Sequence, residues 1–319
     1  MGRFLEIIVP QYNEDEALIE ELLKSIEKQK GIDFEDICVT LVNDNSNRIP
    51  SEDLLKKYEK LNIKLLTNAR NVGPGLTRQH GIDESEAKYI TFIDADDELY
   101  DDKGLYIAIS CLKETDKDIL LMNFITKEEN QTVVMNGQYY SQFLHGKVIK
   151  REFLLKNGIR FSDNIKMFEE DKYFTSCIFY SLNTDDAVAL RVPFYYWKVR
   201  DNSITRNKNP HITYAHDVFN CITGLYDFYK KNPKDNFPSE FIVDSLYGYY
   251  QILESEEFTN LELKEKYLAE LKEYILSIKN VYDEFDEDKK IGFYENQLKA
   301  VSFLTVNVKY EDFINFIKS

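Results

Sequence analysis

The sequence has few cysteines and no long apolar run free of charges, and both scarcities narrow the kinds of protein it can encode. No stretch is long and uncharged enough to cross a bilayer. The first residues also lack the long apolar region and the small-residue cleavage site of a signal peptide. The four cysteines are far apart and form no C-x-x-C pair: Cys38, Cys111, Cys177 and Cys221. We therefore expect reduced thiols in a cytoplasmic protein, rather than a disulfide framework or a zinc site.

Two glycine-rich phosphate-binding motifs are also missing. No G-x-G-x-x-G follows the first predicted strand, and no G-x-x-x-x-G-K-[ST] occurs in the chain. The first motif binds dinucleotides and the second cradles the phosphates of ATP or GTP. Their absence argues against NAD as a ligand and against ATP bound in a P-loop.

Basic residues are in deficit. The chain has 40 lysines and arginines against 56 aspartates and glutamates, which gives a formal net charge of -16. A broad acidic surface disfavours nonspecific binding to nucleic acid or to anionic lipid. A local basic groove for a small anionic ligand remains compatible with this composition.

Strand and helix patterns alternate up to about residue 125. Apolar runs such as FLEIIVP and ICVTLVND predict strands, and EALIEELLKSIEKQ, with apolar residues at helical spacing, predicts a helix. This alternation predicts an α/β fold with a Rossmann-like, mostly parallel sheet flanked by helices. Beyond about residue 210 the patterns are helical, so we predict two domains, residues 1–210 and residues 211–319.

Polar residues follow the predicted strands at their carboxyl ends. In an open parallel sheet these ends share one edge, and ligands bind there. Four clusters would meet at this edge: PQYNE at 10–14, NDNS at 43–46, NARNVGPG at 68–75 and DADD at 94–97. Such residues also cap helices and form turns, so part of the pattern has a purely structural explanation.

The aspartates of FIDADDELY are harder to explain as helix caps, because one cap needs one carboxylate. Asp94, Asp96 and Asp97 stand together directly after an apolar strand. Their charges repel one another unless water or a cation compensates them. Hard oxygen ligands suit Mn²⁺ or Mg²⁺, and these ions commonly bridge to substrate phosphates. The cluster therefore predicts a divalent metal beside a phosphorylated ligand.

The ordered motifs resemble those of family 2 glycosyltransferases, whose catalytic domain has the GT-A fold. The resemblance rests on IIVPQYNE, LVNDNSN, NVGPGLTRQHGI and YITFIDADDELY, and it continues in HGKVIKREFLLKNGIRFSDNIKMFEEDKYF and FYYWKVRDNSITR. It covers roughly residues 4–206. It implies an inverting enzyme that takes a hexose or N-acetylhexosamine from a nucleotide sugar.

The resemblance also implies a nucleotide-sugar site. Pro10 and Tyr12 would line the base, Asn13 and Glu14 would shape the turn beneath it, and Asp44 would accept the N–H of uracil. The remaining positions carried over to this site are Arg78, Asp94, Ala95, Asp96 and Asp97, with Arg200 and Arg206 from a basic segment that would neutralise the departing diphosphate. A UDP-sugar is the implied donor.

Metal and base positions follow from the same resemblance. The D-x-D motif would place the metal on Asp96, with Asp94 beside it and His211 completing its ligands. The acidic stretch Glu169-Glu170-Asp171 resembles the motif that supplies the general base, so Asp171 is predicted to take the proton of the acceptor hydroxyl, with Glu170 as the second choice. An acidic first turn of a helix would also explain this stretch.

Several questions stay open at the level of the sequence. A magnesium-dependent phosphatase of the haloacid dehalogenase type also ends a strand with D-x-D. A non-catalytic sugar-nucleotide-binding relative and a sugar nucleotidyltransferase are further alternatives. The acceptor would be a hydroxyl of a glycan, a polyol-phosphate or another cell-envelope polymer, since the GPG run at 73–75 also occurs in enzymes that glycosylate teichoic acid. The C-terminal helices would bind the acceptor or form a homo-oligomer interface.

Overall fold

The computed structural model describes residues 2–128, 131–135, 142–199, 209–235, 238–278 and 304–319. The chain forms two compact units, Met1–Asp201 and Asn202–Ser319. Among the described residues, no helix combines the length and apolar character needed to cross a bilayer.

The first unit is built on one sheet of nine described strands. The strands are β1 (Leu5–Gln11), β2 (Ile37–Asn43), β3 (Ile63–Thr67), β4 (Tyr89–Phe92), β5 (Glu98–Leu99), β6 (Ile119–Glu128), β7 (Gln131–Met135), β8 (Lys147–Lys150) and β9 (Ala187–Trp197). Its helices are α1 (Glu16–Glu27), α2 (Glu52–Lys57), α3 (Pro74–Asp83), α4 (Gly104–Thr115), α5 (Arg151–Lys156) and α6 (Glu170–Ser181). The alternation of β and α elements follows the sequence prediction through α4, and Ser51 caps α2 as a helix-capping residue would, accepting from the Leu54 N–H at 3.2 Å.

Strand order in the sheet is β3-β2-β1-β4-β8-β6-β9-β5, with β7 pairing on β6. Pairing is parallel between β1 and β2, β2 and β3, and β1 and β4. Beyond β4 the sheet is mixed, because β8 enters antiparallel between β4 and β6. The predicted α/β sheet with flanking helices is therefore present, but parallel pairing dominates only in its first half.

The core of this unit lies between the sheet and its helices. Strand β1 is buried along nearly its whole length because it pairs with a strand on each side. Helix α1 presents Ile19, Leu22, Leu23 and Ile26 to the sheet at helical spacing, and all four side chains are buried. This packing fixes the carboxyl ends of β1, β2 and β4 against one another.

The second unit is helical in its described part. It contains α7 (Pro210–Thr213), α8 (Ala215–Lys231), α9 (Ser239–Glu254), α10 (Leu261–Ser277) and α11 (Tyr310–Lys318). Large side chains such as Tyr249 and Phe313 are buried in it, which agrees with an aromatic core. Part of the region predicted to be helical beyond residue 210, the stretch YENQLKAVSFLTV, lies mostly outside the described residues. The acceptor-binding or oligomerisation role of this unit stays a prediction.

Candidate active site

Parallel pairing brings the polar clusters to one edge of the sheet. Gln11 at the end of β1 is paired with Asn43 at the end of β2, and Asn43 is paired with Thr67 at the end of β3. The next residues along each strand therefore emerge side by side at the carboxyl edge, where ligands of open α/β sheets bind. The sequence predicted this convergence.

Asn13 and Glu14 both take part in the turn after β1. Asn13 has φ of 65°, a left-handed conformation that asparagine tolerates better than most residues. The Tyr12 backbone N–H donates to the Glu14 carboxylate at 2.6 Å. The Tyr12 ring is 49% exposed beside this turn, while Pro10 is half-buried in β1. A flat aromatic face is thus available at the predicted base site.

Asp44 organises the loop that leads into α3. One carboxylate oxygen accepts from the Asn68 amide and the Val72 backbone N–H, and the other accepts from the Gly73 backbone N–H, all at 2.8 Å. Three of the about four acceptor positions of a carboxylate are therefore used within the chain. The predicted contact with uracil would need the remaining position, and it stays a prediction.

Arg78 joins two parts of the site that are far apart in sequence. Its Nη2 donates to Asp94 Oδ1 at 2.7 Å, and its Nη1 donates to Glu170 Oε1 at 3.2 Å and Asp171 Oδ1 at 3.1 Å. The guanidinium is almost fully buried, and the first partner is 16 residues away while the last is 93 residues away. Ion pairs with this degree of burial are far less screened by solvent than surface pairs. The first aspartate of D-A-D and the predicted base are therefore held by one side chain.

Burial and charge set the protonation of these carboxyls in opposite directions. Burial opposes ionisation of Asp94, yet the Arg78 guanidinium and His145 hold the pKa of Asp94 below its usual range. Burial, followed by the charge of Asp171, raises the pKa of Glu170 to about 8. Burial also raises the pKa of Asp171, although Arg78 opposes the rise. A carboxyl with a raised pKa accepts a proton more readily near neutral pH, as a general base must.

Glu170 and Asp171 lie in the first turn of α6, as the acidic stretch predicted. The residue before them, Glu169, occupies the N-cap position in the left-handed conformation with φ of 69°. The Asp171 side chain is 23% exposed and that of Glu170 is 12% exposed. Asp171 is therefore the more accessible of the two carboxylates.

A second group of ligand-type side chains includes a residue that sequence reasoning missed. Oxygens of Asp94 and Asp97 and a ring nitrogen of His145 lie within 4.8 Å of one another. His145 Nε2 is 3.9 Å from Asp94 Oδ2, and within the described residues its Nδ1 has no hydrogen-bond partner although it is buried. The two carboxylates suit Mn²⁺ or Mg²⁺, and His145 Nε2, which lies beside Asp94, would add a nitrogen ligand.

Aromatic residues from β9 surround this group. The Tyr195 hydroxyl donates to Asp97, and it accepts the Asp94 backbone N–H at 3.3 Å. The Trp197 ring is stacked on His145 with 5.8 Å between centroids and 24° between planes. In the sequence, His145 stands only in the motif HGK, and Tyr195 and Trp197 stand only in the aromatic run FYYW. Tyr195 and Trp197 lie close to D-A-D because β9 pairs with β5, and His145 lies close to it because β8 pairs with β4. No local pattern reveals either pairing.

The other predicted site residues have different surroundings. Ala95, the residue between the two aspartates of the D-A-D motif, is buried in the core of the first unit. Asp96 is half-buried and is not in the group formed by Asp94, Asp97 and His145. His211 lies in α7 of the second unit. Arg200 and Arg206 lie outside the described residues. The roles assigned to Asp96, His211, Arg200 and Arg206 stay predictions.

Comparison with known proteins shows the family to which the chain belongs. The profile described as "Glycosyl transferase family 2" matches residues 6–179, more than half of the chain, and the matched region contains both Asp94 and Asp171. The chain belongs to glycosyl transferase family 2. The family that the ordered motifs resemble is confirmed, and a phosphatase of the haloacid dehalogenase type receives no support.

Curated family 2 relatives are longer than the matched region. A GalNAc(5)-diNAcBac-PP-undecaprenol beta-1,3-glucosyltransferase of Campylobacter jejuni is 29% identical over 179 residues, which cover 53% of this chain and 54% of the relative. A poly(ribitol-phosphate) beta-glucosyltransferase of Bacillus spizizenii is 29% identical over 214 residues, which cover 62% of this chain and 32% of the relative. The chain thus spans between 32% and 54% of the length of these two proteins.

Solved structures support the fold. The structure of Staphylococcus aureus TarS 1-349 in complex with UDP has a TM-score of 0.55 and 22% identity, and it covers 78% of this chain and 80% of that chain. The complex of the same protein with UDP-GlcNAc has a TM-score of 0.56. The predicted α/β fold of the GT-A type is confirmed by this similarity.

Proposed function

We propose that this family 2 chain is an inverting glycosyltransferase that moves a sugar from a UDP-sugar to an acceptor hydroxyl. The observation that carries the proposal is the Arg78 network, which places the first aspartate of D-A-D beside Glu170 and Asp171. A donor site and a carboxylate base must be adjacent for a direct displacement at the anomeric carbon. The network supplies that adjacency.

Asp171 is the base in this proposal. An acceptor hydroxyl is a poor nucleophile until a base removes its proton, and the new glycosidic bond forms as the bond to UDP breaks. Asp171 is more exposed than Glu170 and has a raised pKa, both of which suit a group that receives a proton from a bound acceptor. Glu170 is the second candidate.

Asp94, Asp97 and His145 are the described residues that would hold a divalent metal, with Asp96 retained from the sequence prediction. When bound, Mn²⁺ or Mg²⁺ would supply charge neutralisation for the diphosphate leaving group. The donor set fits such an ion, because carboxylate oxygens are its preferred ligands and His145 Nε2 lies beside Asp94. Asp94 belongs both to this set and to the Arg78 network.

Uracil is the proposed base of the donor nucleotide, because the carboxylate of Asp44 can accept an N–H and uracil presents one. We expect UDP to bind at least about tenfold more tightly than GDP or CDP, equivalent to about 1.4 kcal/mol. Calorimetry with the three diphosphates in the presence of Mn²⁺ measures this difference. Tighter binding of GDP or CDP would reverse the assignment.

A polyol-phosphate or another cell-envelope glycan is the proposed acceptor. Two observations support it: the curated relatives include a poly(ribitol-phosphate) beta-glucosyltransferase, and the GPG turn occurs at 73–75. The sugar transferred would be a hexose or an N-acetylhexosamine. Transfer from radiolabelled UDP-glucose or UDP-GlcNAc to poly(ribitol phosphate) and to poly(glycerol phosphate) tests both choices.

A further inference from the structure

One face of α3 packs directly on the segment that carries the proposed base. The Gln79 side-chain oxygen accepts the Phe161 backbone N–H at 3.0 Å. Arg78, the preceding residue, reaches Glu170 and Asp171. Helix α3 therefore contacts this segment at its start, through Phe161, and at its end, through Glu170 and Asp171.

Glycines let the two segments approach closely. A Cβ atom added to Gly73 would lie 1.9 Å from the Lys166 carbonyl oxygen, and Gly73 has φ of 88°. A Cβ added to Gly75 would lie 3.1 Å from Glu170 Cβ and 3.2 Å from Glu170 Cγ. No side chain fits at Gly73, and one at Gly75 would push Glu170 and the Phe161 ring, 3.2 Å away, aside by a few tenths of an ångström. Close packing within the chain therefore explains why glycine occupies positions 73 and 75, independently of any ligand.

The backbone just before the base is also in an unusual conformation. Glu169 has φ of 69°, which costs a non-glycine residue free energy and persists only where the surroundings enforce it. This left-handed residue directs the chain into α6 so that Glu170 and Asp171 both face Arg78. The contacts of α3 with Glu170 and Asp171 hold the preceding residue, Glu169, in this conformation.

We propose that the first two turns of α3 set the position of the base, with Arg78 and Gly75 as positioning residues that need not touch the nucleotide. The inference rests on the proposed function, and it differs from the nucleotide contact that the sequence predicted for Arg78. Arg78 fixes the carboxylates by ion pairs, and Gly75 fixes how closely α6 approaches. Asp94 at the other end of the guanidinium ties this position to the donor site.

The test separates positioning from nucleotide binding. In Gly75→Ala and Arg78→Lys, kcat for UDP-GlcNAc hydrolysis with Mn²⁺ should fall about tenfold and about a hundredfold, since small displacements of a reacting group are costly. In Gly75→Ala the Kd of UDP, measured by calorimetry, should stay within about threefold of the wild type, and this binding also reports that the donor site is folded. Arg78→Lys is followed by kcat alone, because Arg78 also pairs with Asp94 of the donor site. Gly248→Ala is the matched control, because its added Cβ meets nothing within 4 Å.

A double-mutant cycle decides whether the effect passes through the base. When Gly75→Ala is added to Asp171→Asn, kcat should fall by less than about a further twofold. The reason is that the base is already missing in Asp171→Asn, so moving its position has no further effect on kcat. A full tenfold loss in that background overturns the inference, and so does a loss of UDP affinity that parallels the loss of kcat. In either case the proposed function still stands if the wild-type protein releases UDP. A wild-type protein that releases no UDP overturns both.

Discussion

Asp171→Asn is expected to lower kcat by about 10²- to 10⁴-fold while leaving the Kd of UDP nearly unchanged. Asparagine keeps the shape of the side chain and an oxygen that can accept from Arg78, but it cannot take a proton at neutral pH. Donor contacts come from the strand ends, so they should survive. Steady-state kinetics with an acceptor that the wild type uses, together with calorimetry for UDP, measures the two quantities.

The pH dependence of the same variant adds a second readout. Burial raises the pKa of Asp171, so the proton-accepting form is populated only above a pKa higher than that of an ordinary aspartate. Wild-type turnover should therefore rise with pH through that value, and Asp171→Asn should lose this rise. The control is Asp53→Asn, which removes an exposed carboxylate from the first turn of α2. An Asp171→Asn enzyme that keeps most of its turnover refutes the assignment, and Glu170→Gln is then the variant to measure.

Chelation of divalent metal is expected to weaken UDP binding at least about tenfold, or about 1.4 kcal/mol, and Asp94→Asn should abolish the metal-dependent part. Asp94 belongs to the D-A-D motif and to the group with Asp97 and His145. Trp197, the only tryptophan of the chain, reports on this group because its ring is stacked on His145. Paramagnetic Mn²⁺ should quench its fluorescence, whereas Mg²⁺ should not.

Two variants and a control distinguish the metal ligands. Asp96→Ala should also remove the metal-dependent part of UDP binding if the sequence prediction is right, and His145→Phe should do so if the structural group holds the ion. Asp53→Asn again serves as the control for removing a carboxylate. Equal UDP affinity with and without chelator would contradict the metal proposal altogether.

The first half of the sheet could be predicted from sequence because its information is local. β1 to β4 are short apolar runs separated by helices with regular spacing, and parallel pairing follows from that alternation. The carboxyl-edge clusters then follow from topology alone. Asp94 could be predicted on this ground, whereas Asp171 was predicted only from the family resemblance of the acidic stretch at 169–171.

The remaining features depend on contacts between distant parts of the chain. β8 enters the sheet beside β4 although about 55 residues separate them, and no pattern within β8 gives its partner or its direction. The reach of Arg78 to Asp171 spans 93 residues, and that of Tyr195 to Asp97 spans 98. Sequence reasoning could name these residue types, but only the fold shows which carboxylates Arg78 holds and that His145 lies beside Asp94.

The measurement that most directly tests the central claim is proton NMR of the wild-type protein with UDP-α-GlcNAc or UDP-α-glucose, Mn²⁺ at a trace level, and a polyol-phosphate acceptor or water. The account predicts release of UDP, with the β anomer of the sugar or a β-linked product appearing first, because a single displacement inverts the anomeric carbon. Appearance of the α anomer first, release of inorganic phosphate in place of UDP, or an unchanged donor would contradict it.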